Sequence, residues 1–587
     1  MNNEQNDNWA RWADMVRKTI GAEWDTLTRA TEDSLNIQPI YPSDAISPQA
    51  VFTSTGWIMA QYVADDAAPT ALNRSILDEL ESGVSMIMFP AVSAAHMTAA
   101  QMVDILDGVY TDACQFGYSH GGDAMHRTNL WAEYAAQSDA DGQSLNVHIG
   151  ADPVADIMFD QLDHQAANDQ AIALAAWQTK HQTDLPHIRC FAAAGDAYHR
   201  YGLTDAQELG LCLASLVWQW RVLEQSGLSL EHAIAGSAMR MAVSSHLYSS
   251  LAKTRAARMI LNRLSAAMDM DKTPVLHVFT SDRMMTRIEP MNNVLRHVTA
   301  SLGAALGGAE LITTLPHDWL SGSTGMSRRL ARNIQLIMRD EARLDQVADP
   351  AHGATTLEAM SQSLAHKAWQ IFQDIEQAGG AMAVATSAMV AEWAAAAHRA
   401  RQADMDNRHA AMLGINHHPQ QPIAPLPALI METGLPRGGM ARPAQAWEDM
   451  RIAAYDAAYD AADDAADDAA DDKDLRCLIL DDGSSDKQCI ANWSDELRMA
   501  GIQMAEVRIT NTAEANAQIA AAKPHILVAS QAVHHMLADH DGQDGTTLSK
   551  TYLALDADGA TRRQMITNMI RTGDQATNKH DGQGISE

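Results

Sequence analysis

Residues 186–220, PHIRCFAAAGDAYHRYGLTDAQELGLCLASLVWQW, decide the fold. PHIRCFAA is a short apolar run of strand length, and TDAQELGLCLASLVWQW opens a much longer pattern of helical spacing. Strand then long helix is the βα unit of a parallel sheet. The same rhythm surrounds it: VSMIMF (84–89), SLNVHIG (144–150), VLHVFT (275–280) and AELITTLP (309–316) each alternate with helical stretches between about residues 50 and 425. Parallel strands with helical crossovers close into a barrel or open into a doubly wound sheet. A span of about 375 residues fits a (β/α)8 barrel of TIM type that carries insertions.

Composition narrows the function classes. The chain has 587 residues, with 42 Lys+Arg against 74 Asp+Glu and a formal charge of -32. A surplus of that sign repels phosphate backbones, so no nucleic-acid role is expected. The opening MNNEQNDNWARWADMVRK has neither the basic and apolar regions of a signal peptide nor the character of a transit peptide. No apolar run has bilayer-spanning length, which predicts a cytoplasmic protein without a membrane. Cys114, Cys190, Cys212, Cys477 and Cys489 are scattered without a CxxC pair, as core thiols in a reducing compartment would be.

Beyond the barrel, residues 1–40 read as an amphipathic helical arm, with Trp9, Trp12, Met15 and Ile20 at helical spacing, that packs on a partner or caps its own domain. Residues 41–425 are the barrel. A Pro/Gly-rich stretch, HHPQQPIAPLPALIMETGLPRGGMARP (417–443), leads into the acidic repeat AAYDAAYDAADDAADDAADD (453–472), and together 426–474 form a linker. Acids at i and i+4 without nearby cations repel, so the repeat is a solvated spacer. Residues 475–587 return to a βα pattern with strands at 475–481, MAEVRIT and HILVAS, a small flavodoxin-like or Rossmann-like domain. Its final third, from the loop with Asp541, Gly542, Asp544 and Gly545 onward, loses the pattern and is expected to end disordered.

Longer segments sharpen this reading. TDAQELGLCLASLVWQWRVLEQSGLSLEHA (204–233), AKTRAARMIL (252–261), RRLARNIQLIMRDEARLDQVADP (328–350), LAHKAWQIFQDIEQAGG (364–380) and LGIN (413–416) together resemble the methylmalonyl-CoA mutase family. GWIMAQY (56–62), GADPVADI (150–157) and TSDRMMTRIEPMNNVLR (280–296) fit in the same order. GADP followed by a weak C-terminal domain looks most like the small, noncatalytic subunits of the bacterial heterodimeric enzymes. The resemblance implies an acyl-CoA-binding (β/α)8 barrel with the CoA tail along its axis, joined to a cobalamin domain. It also implies adenosylcobalamin as the cofactor and a radical isomerisation between methylmalonyl-CoA and succinyl-CoA, in propionate metabolism.

Residue by residue, the chemistry is missing. Cobalamin-binding members carry D-x-H-x-x-G, whose His coordinates cobalt and whose Asp orients it. Here the turn is DDGSSDK, so Asp481 matches the Asp while Gly483 stands at the cobalt-ligand position and Asp486 at the Gly. Glycine has no side chain to offer a metal, and His534, His535 and His540 lie in no such frame; they read as surface-loop histidines. A degenerate cobalamin-binding domain is expected, with the cofactor bound by the partner.

In the barrel, catalytic members place Tyr-His six and five residues before the Gly that precedes the TDAQE-like helix, where the His hydrogen-bonds the thioester carbonyl. Counting back from Gly202 gives Asp196 and Ala197; the pair Tyr198-His199 falls two residues later, and a shifted alignment is needed to use it. The first strand of catalytic chains reads R-P-W-T-I-R-Q-Y, with both Arg on the substrate. Here Thr55 to Tyr62 read TGWIMAQY: Trp57, Gln61 and Tyr62 remain, Thr55 and Ala60 replace the arginines, and Tyr62 reads as core. Lys253, Arg255 and Arg258, with Arg328, Arg329 and Arg332, read as salt-bridging groups that meet acids on neighbouring helices.

No catalytic, cofactor-binding or metal residue is therefore assigned. The leading expectation is a pseudo-catalytic scaffold in a heterodimer with a large cobalamin-binding mutase subunit, inactive alone. One alternative is an active acyl-CoA mutase barrel that borrows a cobalamin domain from another chain, with Tyr62 and His199 as its candidate residues. Another is a docking or carrier module in mutase cofactor loading.

Overall fold

The computed structural model describes residues 3–41, 48, 50–63, 68–90, 97–419 and 442–452. In the C-terminal part it describes residues 476–481, 493, 497, 503–508, 526–529 and 551–554. The chain divides into two units, residues 1–285, 293–398 and 428–441, and residues 286–292, 399–427 and 442–587.

In the first unit eight apolar segments become strands: β1 Ile58–Tyr62, β2 Met86–Phe89, β3 Gln115–Tyr118, β4 Val147–Ala151, β5 Ile188–Ala194, β6 Ala238–Val243, β7 Val275–Thr280 and β8 Leu311–Thr313. Each pairs in parallel with its neighbours, and β8 pairs with β1 to close the barrel. The helices that follow them are α1 Pro69–Glu81, α2 Ala99–Ile105, α3 Ala124–Gln137, α4 His164–His181, α5 Asp205–Gln225, α6 Leu247–Ala267, α7 Asn292–Gly307 and α8 Gly325–Leu336. The TIM-type (β/α)8 expectation holds. Two strands, β3 and β6, escape the sequence reading: QFGY is interrupted by Gly117 and AMRMAV by Arg240, so neither presents a clean apolar run.

Local signals set the helix starts. The Thr204 hydroxyl accepts from the Gln207 amide, and the Gln207 side chain accepts from the Thr204 amide, a capping box that fixes the first turn of α5. Thr98 with Gln101 starts α2 in the same way, as Thr324 with Ser327 starts α8. A further helix, α9 Thr355–Gln377, packs outside α5 and α6. It comes so close that a Cβ at Gly210 would stand 2.7 Å from Ile371 Cγ2. Gly303 and Gly307 do the same for α7 on α6, where a Cβ would meet Ser250 Cβ at 2.7 Å and Thr254 Cβ at 2.5 Å.

Side chains fill the barrel. Ile58, Ala60 and Tyr62 alternate inward from β1 and join Met86, Met88, Phe279 and Leu311 in one cluster. Gly117 leaves room for the methionines, because a Cβ there would lie 2.5 Å from Met86 Cε. Deeper inside, Met86, Met88, Tyr118, His148, Phe191, Arg240 and His277 surround a void of ≈ 10 Å³, about the space of one water molecule. Gly150 has φ +73°, and a Cβ on it would meet Arg240 Nη1 at 3.2 Å, so the guanidinium lies directly against bare backbone. His277 Nε2 is 2.8 Å from Thr313 Oγ1. Burial, then the Arg240 charge, hold His277 well below the ordinary imidazole value of 6.5, and burial with Arg189 does the same to His148.

Ion pairs strap the helices, as the cation pattern predicts. Lys253 Nζ reaches Glu208 at 2.6 Å and Asp205 at 2.8 Å, both on α5. Arg255 spans Asp349 at 2.8 Å and Glu358 at 3.1 Å, and Arg258 reaches Glu310 at 3.0 Å. Arg328 and Arg332 converge on Glu79 of α1. Two details correct the expectation: Asp349 and Glu310 sit on loops rather than helices, and Arg329 is exposed and takes no part in these pairs.

At the N-terminus a helix spans Asn3–Ile20, with Trp9, Trp12 and Trp24 clustered at 5.1–6.4 Å between ring centroids. A short hairpin follows, and Asp33 accepts from the Ala206 amide at 3.2 Å, capping α5. In the second unit, strands β9 Arg476–Asp481, β10 Gln503–Arg508, β11 Ile526–Ala529 and β12 Thr551–Ala554 form a parallel sheet ordered β10-β9-β11-β12. Flavodoxin-like sheets begin with this order. Strand β12 corrects the expectation that the pattern ends earlier; TYLA is too short to stand out between polar flanks. The acidic repeat lies outside the described residues, and 444–452 of the expected linker begin in a turn and continue as helix. No helix among the described residues is long and apolar enough to cross a membrane.

Arg255 and Glu358 are fully buried, so Arg255→Met strands two carboxylates and costs about 3–5 kcal/mol. A denaturant midpoint unchanged from wild type would show the pair to be dispensable. The histidines give a pH test with a defined sign. The unfolded chain takes a proton near 6.5 that buried His277 refuses, so stability is complete above that pH and falls below it, by about 1.4 kcal/mol per pH unit for each such histidine. Denaturation of His277→Gln between pH 5 and 7 should show a shallower decline than wild type; an identical slope would mean that His277 ionises freely in the fold.

Candidate functional site

Reactive groups of a (β/α)8 barrel stand at the C-terminal ends of its strands. At that end of β5 the chain enters a short helix, Gly195–Tyr201, which stops at Gly202 in the left-handed region (φ +118°) before the capping box of α5. Gly195 allows a tight entry, since a Cβ there would lie 2.3 Å from the Arg240 carbonyl oxygen.

The two positions at which catalytic family members are expected to carry Tyr-His hold Asp196 and Ala197. Arg240 Nη2 donates to Asp196 Oδ2 at 2.5 Å, Nη1 donates to the Tyr118 carbonyl at 2.9 Å, and the guanidinium carbon lies 4.6 Å from the centre of the Phe279 ring. An ion pair thus joins the β5 loop to the barrel interior. Ala197 is buried and carries no polar group.

Tyr198 and His199, two residues on, face other partners. The Tyr198 hydroxyl donates to Asp152 Oδ2 at 2.5 Å. Asp152 also accepts from the Ala194 amide at 2.7 Å and from Ser215 at 2.9 Å, and it caps the helix Pro153–Met158. Burial raises its pKa against these hydrogen bonds. His199 Nδ1 lies 3.1 Å from Glu208 Oε2, and its Nε2 lies 2.7 Å from Ser281 Oγ. Both ring nitrogens therefore meet protein groups, and His199 does not line the barrel void.

Ser281, His199 and Glu208 have the connectivity of a serine-hydrolase triad. Their exposures are 2%, 2% and 0%, and Ser281 Oγ also accepts from the Arg283 amide at 3.1 Å, so no substrate reaches the hydroxyl. His199, Asp205 and Glu208 also lie within metal-binding reach of one another. The Lys253 ammonium, bonded to both carboxylates, already fills the cation position. Burial, only partly offset by the Lys253 charge, leaves the Glu208 carboxyl raised to about 7.

On β1, Ala60 faces the barrel interior where the second arginine of catalytic chains is expected, and Thr55 is exposed. Tyr62 is buried 4.8 Å from Trp319, centroid to centroid, and burial raises its hydroxyl to about 12. Trp57 donates to Gln335 at 3.0 Å. Both amide atoms of buried Gln61 lack a hydrogen-bond partner among the described residues. In the second unit Asp481 ends β9, whereas Gly483, Asp486, His534, His535 and His540 lie outside the described residues. Buried Cys114, Cys190 and Cys212 are free thiols, and burial raises all three.

Sequence reasoning missed Arg240 and Asp152 as organising groups. Arg240 was detectable as a charge amid AMRMAV, and Asp152 as a carboxylate between a buried strand and Pro153.

The sequence is similar to known proteins. The family model for methylmalonyl-CoA mutase matches residues 90–435. A methylmalonyl-CoA mutase small subunit from Streptomyces virginiae is 30% identical over 479 residues, 76% of this chain and 75% of that protein. A probable small subunit from Mycobacterium tuberculosis is 30% identical over 68% of this chain and 64% of its own length. The Propionibacterium freudenreichii subsp. shermanii small subunit is 26% identical over 67% of this chain and 64% of its own. The chain belongs to the methylmalonyl-CoA mutase family.

Proposed function

We propose that this chain is a small subunit of methylmalonyl-CoA mutase and acts as a noncatalytic scaffold for a large subunit that binds adenosylcobalamin and acyl-CoA. The filled barrel axis carries this reading. A void of ≈ 10 Å³ among Met86, Met88 and Arg240 contrasts with the roughly 300–1,000 Å³ of a small-molecule pocket. Ala60, in place of a guanidinium, would leave a buried substrate carboxylate unpaired, a cost of several kcal/mol. His199 is engaged by Glu208 and Ser281 and is not free to grip a thioester carbonyl.

The sheet β10-β9-β11-β12 supports reading the C-terminal part as a degenerate cobalamin-binding domain. Its donor set does not fit the cofactor, because Gly483 offers no side chain where a cobalt ligand is needed. Adenosylcobalamin, which supplies the radical chemistry, therefore belongs to the partner. What this chain contributes is stabilisation by mass action: binding only the folded large subunit favours that state.

Purified alone, the chain should show no corrinoid absorbance after incubation with adenosylcobalamin and no conversion of methylmalonyl-CoA. Co-purified with a large subunit, it should raise that subunit's stability by about 2.7 kcal/mol at one hundred times Kd, read as a higher unfolding midpoint. Isomerisation by this chain together with a lone cobalamin-domain protein would instead establish an active barrel.

A further inference from the structure

Few groups hold the N-terminal arm to the barrel. Between residues 9 and 41 no residue is buried, and Trp9, Trp12 and Trp24 pack on one another. The hairpin that pairs Arg29–Ala30 with Asn36–Ile37 makes the contact: Leu35 lies against the barrel core, and Asp33 Oδ2 accepts from the Ala206 amide at 3.2 Å. Thr204 also hydrogen-bonds Asp33, so this carboxylate from the arm sits on the first turn of α5, where helix amides lack partners within the helix. Beyond the hairpin, Thr355 Oγ1 donates to the Tyr41 carbonyl at 3.3 Å.

That turn already carries acids. Asp205 and Glu208 lie in it, each with a carboxylate oxygen within 4.8 Å of the other's, and one ammonium, Lys253 on α6, answers them at 2.8 and 2.6 Å. Asp33 adds a third carboxylate, and Glu32 on its own hairpin a further negative charge. The remaining charged groups of this corner face elsewhere. Arg283 donates to the His199 and Leu203 carbonyls, Arg200 pairs with Asp282 at 2.7 Å, His199 lies between Glu208 and Ser281, and Arg29 is exposed. Three carboxylates around one ammonium favour a proton on one of them, which the positive end of the helix opposes. Burial, then the charge of Asp205, lift the Asp33 carboxyl from the ordinary 3.8 to about 6, against the hydrogen bonds of Thr204 and Ala206. We propose that Asp33 is a proton-sensitive clasp, which holds the N-terminal arm against the barrel more tightly as the pH falls. Released into water the carboxyl titrates near 3.8, so docking takes up a proton: the clasp is tightest below that pH and loosens as the pH rises through about 6.

Hydrogen exchange of the full chain, corrected for intrinsic rates, tests the clasp at residues 31–37. A two-stranded hairpin is marginal in water by itself, so its amide protection reports docking. Protection should be about tenfold higher at pH 5 than at pH 7.5. Asp33→Asn, which cannot ionise, should show the same protection at both, close to the wild-type value at pH 5. Asp33→Ala, which lacks the acceptor, should leave the hairpin with little protection at either. Wild-type protection that does not change with pH, a pH dependence that Asp33→Asn keeps, or full protection in Asp33→Ala overturns the clasp. So does a change that the amides of β5 show equally, because it then belongs to opening of the whole barrel.

Discussion

A guanidinium inside a closed barrel must be paired, and Arg240 is. Taking an isolated cation out of water costs many kcal/mol unless an anion and hydrogen-bond acceptors replace the solvent. Asp196 supplies the anion, the Tyr118 carbonyl an acceptor and Phe279 an aromatic face. The demands of this one group propagate outward. Asp196 must come from the β5 loop, which therefore lies where its carboxylate reaches the axis. Gly150 and Gly195 must stay small because Arg240 passes against them.

The same economy governs the buried carboxylates around the barrel. Glu208 answers Lys253, His199 and the Ala242 amide at once. Asp349 answers Arg255 and the Val51 amide, so a chain segment ahead of β1 is held to α6 through one side chain. Each acid joins elements distant in sequence, and each would be costly to leave alone. Substituting such groups is costly for reasons of packing and charge.

Legibility in the sequence follows from this division. Apolar runs and helical periodicity are local, so most barrel strands and the long helices were readable. Strands β3 and β6 were not, because Gly117 and Arg240 make sense only once the barrel is closed and its axis filled. The Tyr198-His199 pair looks catalytic as a dipeptide. Its meaning depends on Asp152, Glu208 and Ser281, which lie 46, 9 and 82 residues away in sequence. Local pattern gives the elements, whereas the role of a polar side chain is settled by partners that only the tertiary fold brings near.

Filling the axis is also energetically favourable. An open channel leaves apolar wall in contact with water, while each methionine laid across it removes that surface, for roughly 1.5–3 kcal/mol per fully buried side chain. The strapping pairs of α1, α5, α6 and α9 use none of the residues expected to hold substrate in catalytic chains, so Thr55, Ala60 and Ala197 stand in their places without disturbing Lys253, Arg255 or Glu79. Stability and catalysis draw on separate side chains in this fold. A filled axis can therefore be opened only by giving up burial that the fold uses, which is why Met86 and Met88 belong to the stability of the barrel as much as its strand ladder does.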